Sequence, residues 1–61
     1  MKGRPTVYGF NEHANIVGYA VRSRRGWVIA VRGHYQKVRE KSDAVELLHE
    51  YGAVTIKEKL E

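Results

Sequence analysis

Hydrophobic and polar residues alternate along the first two thirds of the chain with the period of β-strands. Four short runs rich in β-branched and aromatic residues are separated by polar or glycine-containing segments. These runs predict strands at residues 6–10, 16–23, 27–32 and 35–39. The last three strands follow one another through short turns, which predicts an antiparallel meander.

Two glycines define the predicted turns of this meander. Residues 24–26 suit a three-residue hairpin loop in which Gly26 takes the left-handed conformation of a G1 bulge. Gly33 and His34 form the second turn, with the glycine supplying a positive φ. Residues 11–15 are polar and connect the first two strands.

The hydrophobic period changes after residue 40. Apolar residues now fall at i, i+3, i+4 and i+7, which is one stripe of a helix: Ala44, Leu47, Leu48 and Tyr51. We predict a helix over residues 42–51 that begins with a cap at Ser42 or Asp43 and ends at Gly52. Residues 53–57 return to alternation and predict a final strand.

These elements define an α+β fold, in the order β-β-β-β-α-β, within one small domain that spans residues 1–61. The helix is expected to cover one face of the antiparallel sheet. Residues 1–5 and 58–61 are expected to be frayed. A chain of this length buries only a small core, so a homodimer would supply further burial.

The length of the first hairpin loop decides which residues share a face of the sheet. A three-residue loop collects apolar residues on the helix side: Val17, Tyr19, Val21, Trp27, Ile29, Val31, Gln36 and Val38. It leaves a basic outer face with small residues at its centre: Gly18, Ala20, Arg22, Val28, Ala30, Arg32, Tyr35, Lys37 and Arg39. A two-residue loop would place Arg22 beside Trp27 and Ile29, so the collection of apolar residues favours the longer loop.

Charge is segregated along the chain, although the formal net charge is only +4. Residues 13–39 contain no acid and six basic residues: Arg22, Arg24, Arg25, Arg32, Lys37 and Arg39. From residue 40 onward, six acids stand against three lysines. Because salt screens exposed charges beyond about 8 Å, the local excess matters more than the total. The basic strands therefore favour an acidic partner.

The chain offers little for catalysis or metal binding. It has no cysteine, which excludes disulfides and thiolate zinc sites, and His13, His34 and His49 have no ligand spacing. No nucleophile–base arrangement and no glycine-rich phosphate loop is recognisable. We expect no enzyme activity, no cofactor and no metal. No apolar run approaches the roughly 20 residues of a membrane span, so we expect a soluble, cytoplasmic protein.

The basic outer face has chemistry suited to nucleic acid. Arginine presents a planar fork of donors that matches phosphate oxygens or a guanine edge. Lys37 supplies a point charge for phosphate, and Tyr35 can stack on a base. We predict a small nucleic-acid-binding protein that acts as a regulator or accessory factor, with duplex DNA as the favoured partner. The candidate binding residues are Arg22, Arg24, Arg25, Arg32, Tyr35, Lys37 and Arg39.

From residue 16 to residue 51 the pattern resembles the AP2-like, or integrase amino-terminal, DNA-binding domains. The resemblance rests on the middle strand at residues 27–32 (Trp-Val-Ile-Ala-Val-Arg) and on the helix opening at residues 41–44 (Lys-Ser-Asp-Ala), followed by Leu47 and Leu48. It implies a three-stranded antiparallel sheet backed by one helix. In that family the outer face of the sheet enters the major groove of DNA.

The residues also leave a second class of function open. A chain of this size and charge fits a small protein-binding module or inhibitor of the kind that phages and plasmids encode. Such a protein would act on a host protein, through its basic face or through an exposed edge strand. A homodimer packed through the small residues of the sheet is a third interpretation.

Overall fold

A computed structural model describes residues 5–60 and confirms an α+β fold, in which one helix packs on one face of a five-stranded antiparallel sheet. The elements are β1 (Pro5–Phe10), β2 (Ile16–Ser23), β3 (Gly26–Val31), β4 (His34–Val38), α1 (Lys41–Glu50) and β5 (Thr55–Leu60). Across the sheet the strands follow the order β4-β3-β2-β1-β5. The part of the chain that is described forms no helix with the length and hydrophobicity that a bilayer crossing requires.

The first strand lies inside the sheet, between β2 and β5. It pairs with β5 along its whole length, from Pro5 opposite Leu60 to Phe10 opposite Thr55. The expected fraying is therefore wrong for Pro5 and for residues 58–60, while residues 1–4 and 61 lie outside the described residues. The helix carries the chain from one edge of the sheet, β4, to the opposite edge, β5.

The core lies between the helix and the sheet. Its buried cluster consists of Val7, Ala20, Trp27, Ile29, Val31, Ala44, Leu48 and Ala53. Ala44 and Leu48 are fully buried, which confirms two positions of the predicted helical stripe. Leu47 packs at the margin of this cluster, and Tyr51 is 46% exposed. The stripe that faces the sheet is therefore shifted from the predicted one, because Val45 also packs against the core whereas Tyr51 is exposed.

Gly9 on β1 allows the helix to approach the sheet closely, and Gly18 on β2 leaves room for Val31 of β3. Gly9 lies directly opposite Gly18 in the ladder. A Cβ atom at Gly9 would lie 2.9 Å from the Cβ of Ala53 and 3.3 Å from the Cβ of Leu48. A Cβ atom at Gly18 would lie 2.5 Å from Cγ2 of Val31. A larger residue at either position would have to displace its neighbours.

The first hairpin has a two-residue loop, so the predicted three-residue loop and G1 bulge are wrong. Ser23 lies opposite Gly26, which leaves only Arg24 and Arg25 between the strands. The face assignments from Gly18 to Arg22 are thereby reversed relative to β3, whereas Val17, at the bulge opposite Gly9 and Phe10, packs against the core as predicted. The helix side carries Gly18, Ala20 and Arg22 together with Trp27, Ile29 and Val31, whereas Tyr19 and Val21 lie on the other side.

Packing beneath the helix explains this register. Ala20 is fully buried in the core, and the longer loop would have put Tyr19 and Val21 on that side of β2 instead. The close approach of the helix leaves no room for side chains of that size. Gly26 begins β3 with a φ of 144°, and a Cβ atom there would lie 2.2 Å from the carbonyl oxygen of Val38.

The second turn is displaced by one residue from its predicted place. It consists of Arg32 and Gly33, because Val31 lies opposite His34, the first residue of β4. The φ angles are 51° at Arg32 and 80° at Gly33. Two successive positive φ angles are what a two-residue hairpin turn of type I′ requires. Arg32 is therefore a turn residue rather than the last residue of a strand.

The helix begins one residue before its predicted start. Its N-cap is Glu40, whose side chain makes no capping hydrogen bond. The predicted caps at Ser42 and Asp43 are wrong, since both residues lie inside the helix. The backbone amides of Asp43 and Ala44 donate to the carbonyl oxygen of Glu40, at 3.1 and 3.2 Å. Asp43 still lies in the first turn, where a carboxylate favours the positive end of the helix dipole.

The C-terminal end of the helix follows the prediction. Gly52 has a φ of 111°, and its amide donates to the carbonyl oxygen of His49 at 3.0 Å. The amide of Ala53 donates to the carbonyl oxygen of Leu48, also at 3.0 Å. These two bonds form a Schellman motif, and the apolar contact that accompanies such motifs joins Leu48 with Ala53 in the core. The motif directs the chain toward β5.

Candidate nucleic-acid interface

The sheet face that the helix leaves uncovered, called the open face below, carries two rows of directly paired residues. The first row runs across all five strands as Tyr35, Ala30, Tyr19, Tyr8 and Lys57. The second row runs in the same direction as Lys37, Val28, Val21, Thr6 and Lys59. Alternate residues of a strand lie on opposite faces, so these residues share the side away from the core.

The first row is aromatic over most of its length. The ring centroids of Tyr8 and Tyr19 lie 6.3 Å apart, with their planes inclined at 49°. Tyr35 lies on the edge strand β4 and is 73% exposed, whereas Tyr19 is 39% exposed. Ala30 lies between Tyr19 and Tyr35 and is only 8% exposed, and it lines the shallow space between the two rings. The open face therefore offers aromatic surface to a partner.

Positive charge surrounds the apolar middle of the open face. Lys37 lies on the edge strand β4, and Lys57 and Lys59 lie on the opposite edge strand β5. Both rows consist of neutral or basic residues, and the acidic member of β5, Glu58, points to the helix side, where it pairs with Lys41. The helix side carries Glu58 and the acids of α1 together with Arg22 and Lys41, whereas the two rows of the open face carry lysines and no acid.

A shallow depression of about 230 Å³ lies at one end of the open face. Its lining includes Tyr19, Ala30, Arg32 and Tyr35. The depression occupies the gap that Ala30 leaves between the two tyrosines, with Arg32 at the adjoining turn. An arginine beside two aromatic rings is a combination that can hold a phosphate and stack a base at one place.

A second depression, of about 570 Å³, lies at the opposite end of the strands. The loop residues Arg24 and Arg25 line it together with Lys37. Three positive charges therefore converge beside the first hairpin loop. All three are exposed, so their charges are available to an anionic partner.

The structure brings five of the seven predicted binding residues to the open face or its ends. Tyr35 and Lys37 lie in its two rows, and Arg24, Arg25 and Arg32 lie in the turns that bound it. The predicted placement of Arg22 on that face is wrong, because the two-residue loop turns it to the helix side, opposite Trp27. Arg39 is exposed but follows the end of β4, so its predicted place within that strand is also wrong.

Sequence reasoning missed four residues of the open face: Tyr8, Tyr19, Lys57 and Lys59. Tyr19 is missed because the longer predicted loop puts it on the helix side. The sequence does indicate that Lys57 and Lys59 share one side of the last strand, because they alternate with Ile56 and Glu58. Their position beside β1 depends on the order of strands, which alternation does not reveal.

Within residues 5–60, no three His, Asp or Glu side chains are arranged to hold a metal ion. Comparison with protein-family models, with curated proteins and with solved structures finds no significant match. A function is therefore inferred from the geometry and charge of the open face.

Proposed function

We propose that this protein binds nucleic acid through the open face and acts as a small DNA-binding regulator or accessory factor. The observation that supports this proposal is the charge separation between the layers. Basic residues frame the open face, whereas Asp43, Glu46 and Glu50 lie on the helix. A polyanion would thus meet positive potential on one side of the molecule and repulsion on the other.

The basic residues fall at positions that suit phosphates. Arg24, Arg25 and Lys37 lie at one end of the central strands, and Arg32 lies at the other. The strand between them, β3, has six residues and spans roughly 20 Å. Several consecutive phosphates fit within that length, and their contacts with exposed cations release counterions.

A titration of the protein with labelled mixed-sequence nucleic acid at several salt concentrations tests this proposal. Neutralisation of about four phosphates of duplex DNA gives a log–log slope near −4. Lys37→Gln should weaken binding to all sequences alike and make the slope shallower by about one. Arg22→Gln is the matched control, because Arg22 is an exposed cation on the other face.

Two results would contradict the proposal. One is the absence of binding at low salt and micromolar protein. The other is an equal loss from Arg22→Gln and Lys37→Gln, since that would show that net charge matters and the face does not.

The apolar middle of the open face favours one alternative, a protein-binding module or inhibitor. Val21 and Val28 lie side by side there, and Ala30 adjoins Tyr19. Such a patch could pack against an acidic host protein or a second copy of this chain. Sedimentation velocity tests whether the partner is a second copy of this chain. In that case the protein is a dimer without any nucleic acid present, and Tyr19→Glu converts it to a monomer.

A further inference from the structure

We infer that the nucleic acid held by the open face is single-stranded, with unpaired bases stacked on Tyr19 and Tyr35. This inference rests on the proposed function and names the class of ligand. Aromatic side chains on an exposed sheet face are a general means of binding unpaired bases, because every base has a π-face.

The spacing of the two rings suits this ligand. Tyr19 and Tyr35 both lie opposite Ala30, on the strands that flank β3. Neighbouring strands are about 4.8 Å apart, so the two backbones are separated by roughly 10 Å. Ala30 leaves the depression between them, and a base stacked on either ring can enter it. Tyr8 supports the Tyr19 ring from the far side, at 6.3 Å.

The distribution of charge argues against a duplex. In the middle of the open face, β2 and β3 present Val21, Val28 and Ala30, which offer no side-chain donor to a phosphate or a base edge. The cations lie at the edges and ends. In a duplex the phosphates lie on the outside and the faces of the bases are stacked on one another. The rings of Tyr19 and Tyr35 would therefore make no contact with the face of a base. A single strand can place its bases on the apolar middle and its phosphates at the margin.

The backbone of Arg32 gives independent support. Its φ of 51° is a left-handed conformation, which is unfavourable for a residue with a Cβ atom and which Asn or Gly adopts readily. Arg32 therefore occupies the first position of its turn against the local preference. Its side chain lines the depression beside Tyr35, where a guanidinium can stack on a base or bind its phosphate.

The test compares three labelled 12-mers of one mixed sequence, as single-stranded DNA, as single-stranded RNA and as duplex DNA, by fluorescence anisotropy with the full chain. We expect at least one single strand to bind about tenfold or more tighter than the duplex at the same salt concentration. The tighter of the two single strands identifies the sugar that the site prefers. Its salt slope should follow about −0.7 per phosphate.

Three tyrosine variants assign the effect to the open face. Tyr35→Ala should weaken single-strand binding by about 5- to 150-fold with an unchanged salt slope, whereas Tyr35→Phe should retain the affinity. Tyr51→Ala is the matched control, because Tyr51 is exposed beyond the helix and away from the open face. The high exposure of Tyr35 on an edge strand makes its removal compatible with folding, which a melting curve verifies.

The outcomes separate this inference from the proposed function. Duplex binding as tight as single-strand binding, or a Tyr35→Ala variant with undiminished single-strand affinity, overturns the inference. Salt-dependent binding that Lys37→Gln weakens would in that case still support the proposed function. Failure of the wild-type protein to bind any of the three 12-mers at low salt overturns both.

Discussion

Arg22 lies directly opposite Trp27 in the ladder between β2 and β3. Arg22 remains exposed, while Trp27 is 7% exposed and belongs to the core. This pairing determines which face of β2 lies on the same side as the core face of β3, because the residues before Arg22 alternate from it. It turns Ala20 toward the helix and Tyr19 toward the open face.

Replacing Gly26 with alanine should destabilise the protein more than replacing Gly33 with alanine. Both glycines have positive φ, so each substitution introduces backbone strain of about 1–2 kcal/mol. At Gly26 the new Cβ atom would also meet the carbonyl oxygen of Val38 at 2.2 Å, whereas Gly33 has open space. We expect a total of about 3 kcal/mol at Gly26. Urea unfolding measures both, and equal losses would contradict the close approach of β3 to the end of β4.

Truncation of the helix side chains should have unequal effects. Leu48→Ala removes a fully buried side chain and should lower the free energy of unfolding by about 2–5 kcal/mol. Leu47→Ala should have a smaller effect, because Leu47 only packs against the margin of the core. Thermal unfolding followed by circular dichroism ranks the two variants. A larger loss at Leu47 would show that the helix presents a different stripe to the sheet.

The C-terminal cap of the helix predicts a difference between two substitutions at Gly52. The φ of 111° is unfavourable for any residue with a Cβ atom, although the site is open on all sides. Gly52→Val should therefore destabilise by about 1–2 kcal/mol through backbone strain alone, and Gly52→Asn by less. Comparison of their melting temperatures checks this order. A Gly52→Val variant with the melting temperature of the wild type would exclude the left-handed cap.

Arg32→Asn should separate stability from binding. Asparagine is favoured at the first position of a type I′ turn, so the substitution should stabilise the fold by about 1 kcal/mol. The same change removes a cation beside Tyr35 and should weaken nucleic-acid binding. Urea unfolding and anisotropy on one sample measure both quantities. A variant that is more stable and binds unchanged would remove Arg32 from the interface.

Alternation predicts which residues of one strand share a face, and it did so for Trp27, Ile29 and Val31. Alternation does not determine which face of one strand lies on the same side of the sheet as a given face of the next. One residue more or less in the connecting loop turns every side chain of a strand to the opposite face. Val17, Tyr19 and Val21 form the more apolar set on β2, so assignment by hydrophobicity puts all three in the core, whereas of these three Val17 alone packs against it. Under the helix, β2 instead places the small residues Gly18 and Ala20.

The candidate site shows the same limit. The sequence places Tyr35 and Lys37 on the face opposite the helix through a two-residue turn after β3, and they lie there because the observed turn also has two residues. Lys57 joins that face because β5 pairs with β1, a contact between residues about 50 positions apart in the chain. Such pairing depends on the path of the crossover helix, which no local pattern in the sequence encodes.

The pairing of Pro5 with Leu60 has a consequence for the order of folding. The ladders from β1 to β4 join neighbours in sequence and can zip from their turns, whereas the ladder between β1 and β5 must close a loop across the whole domain. We expect β5 to dock last. Until then β1 is a free edge with unpaired amides and carbonyls, which is the stage at which this chain is most exposed to aggregation.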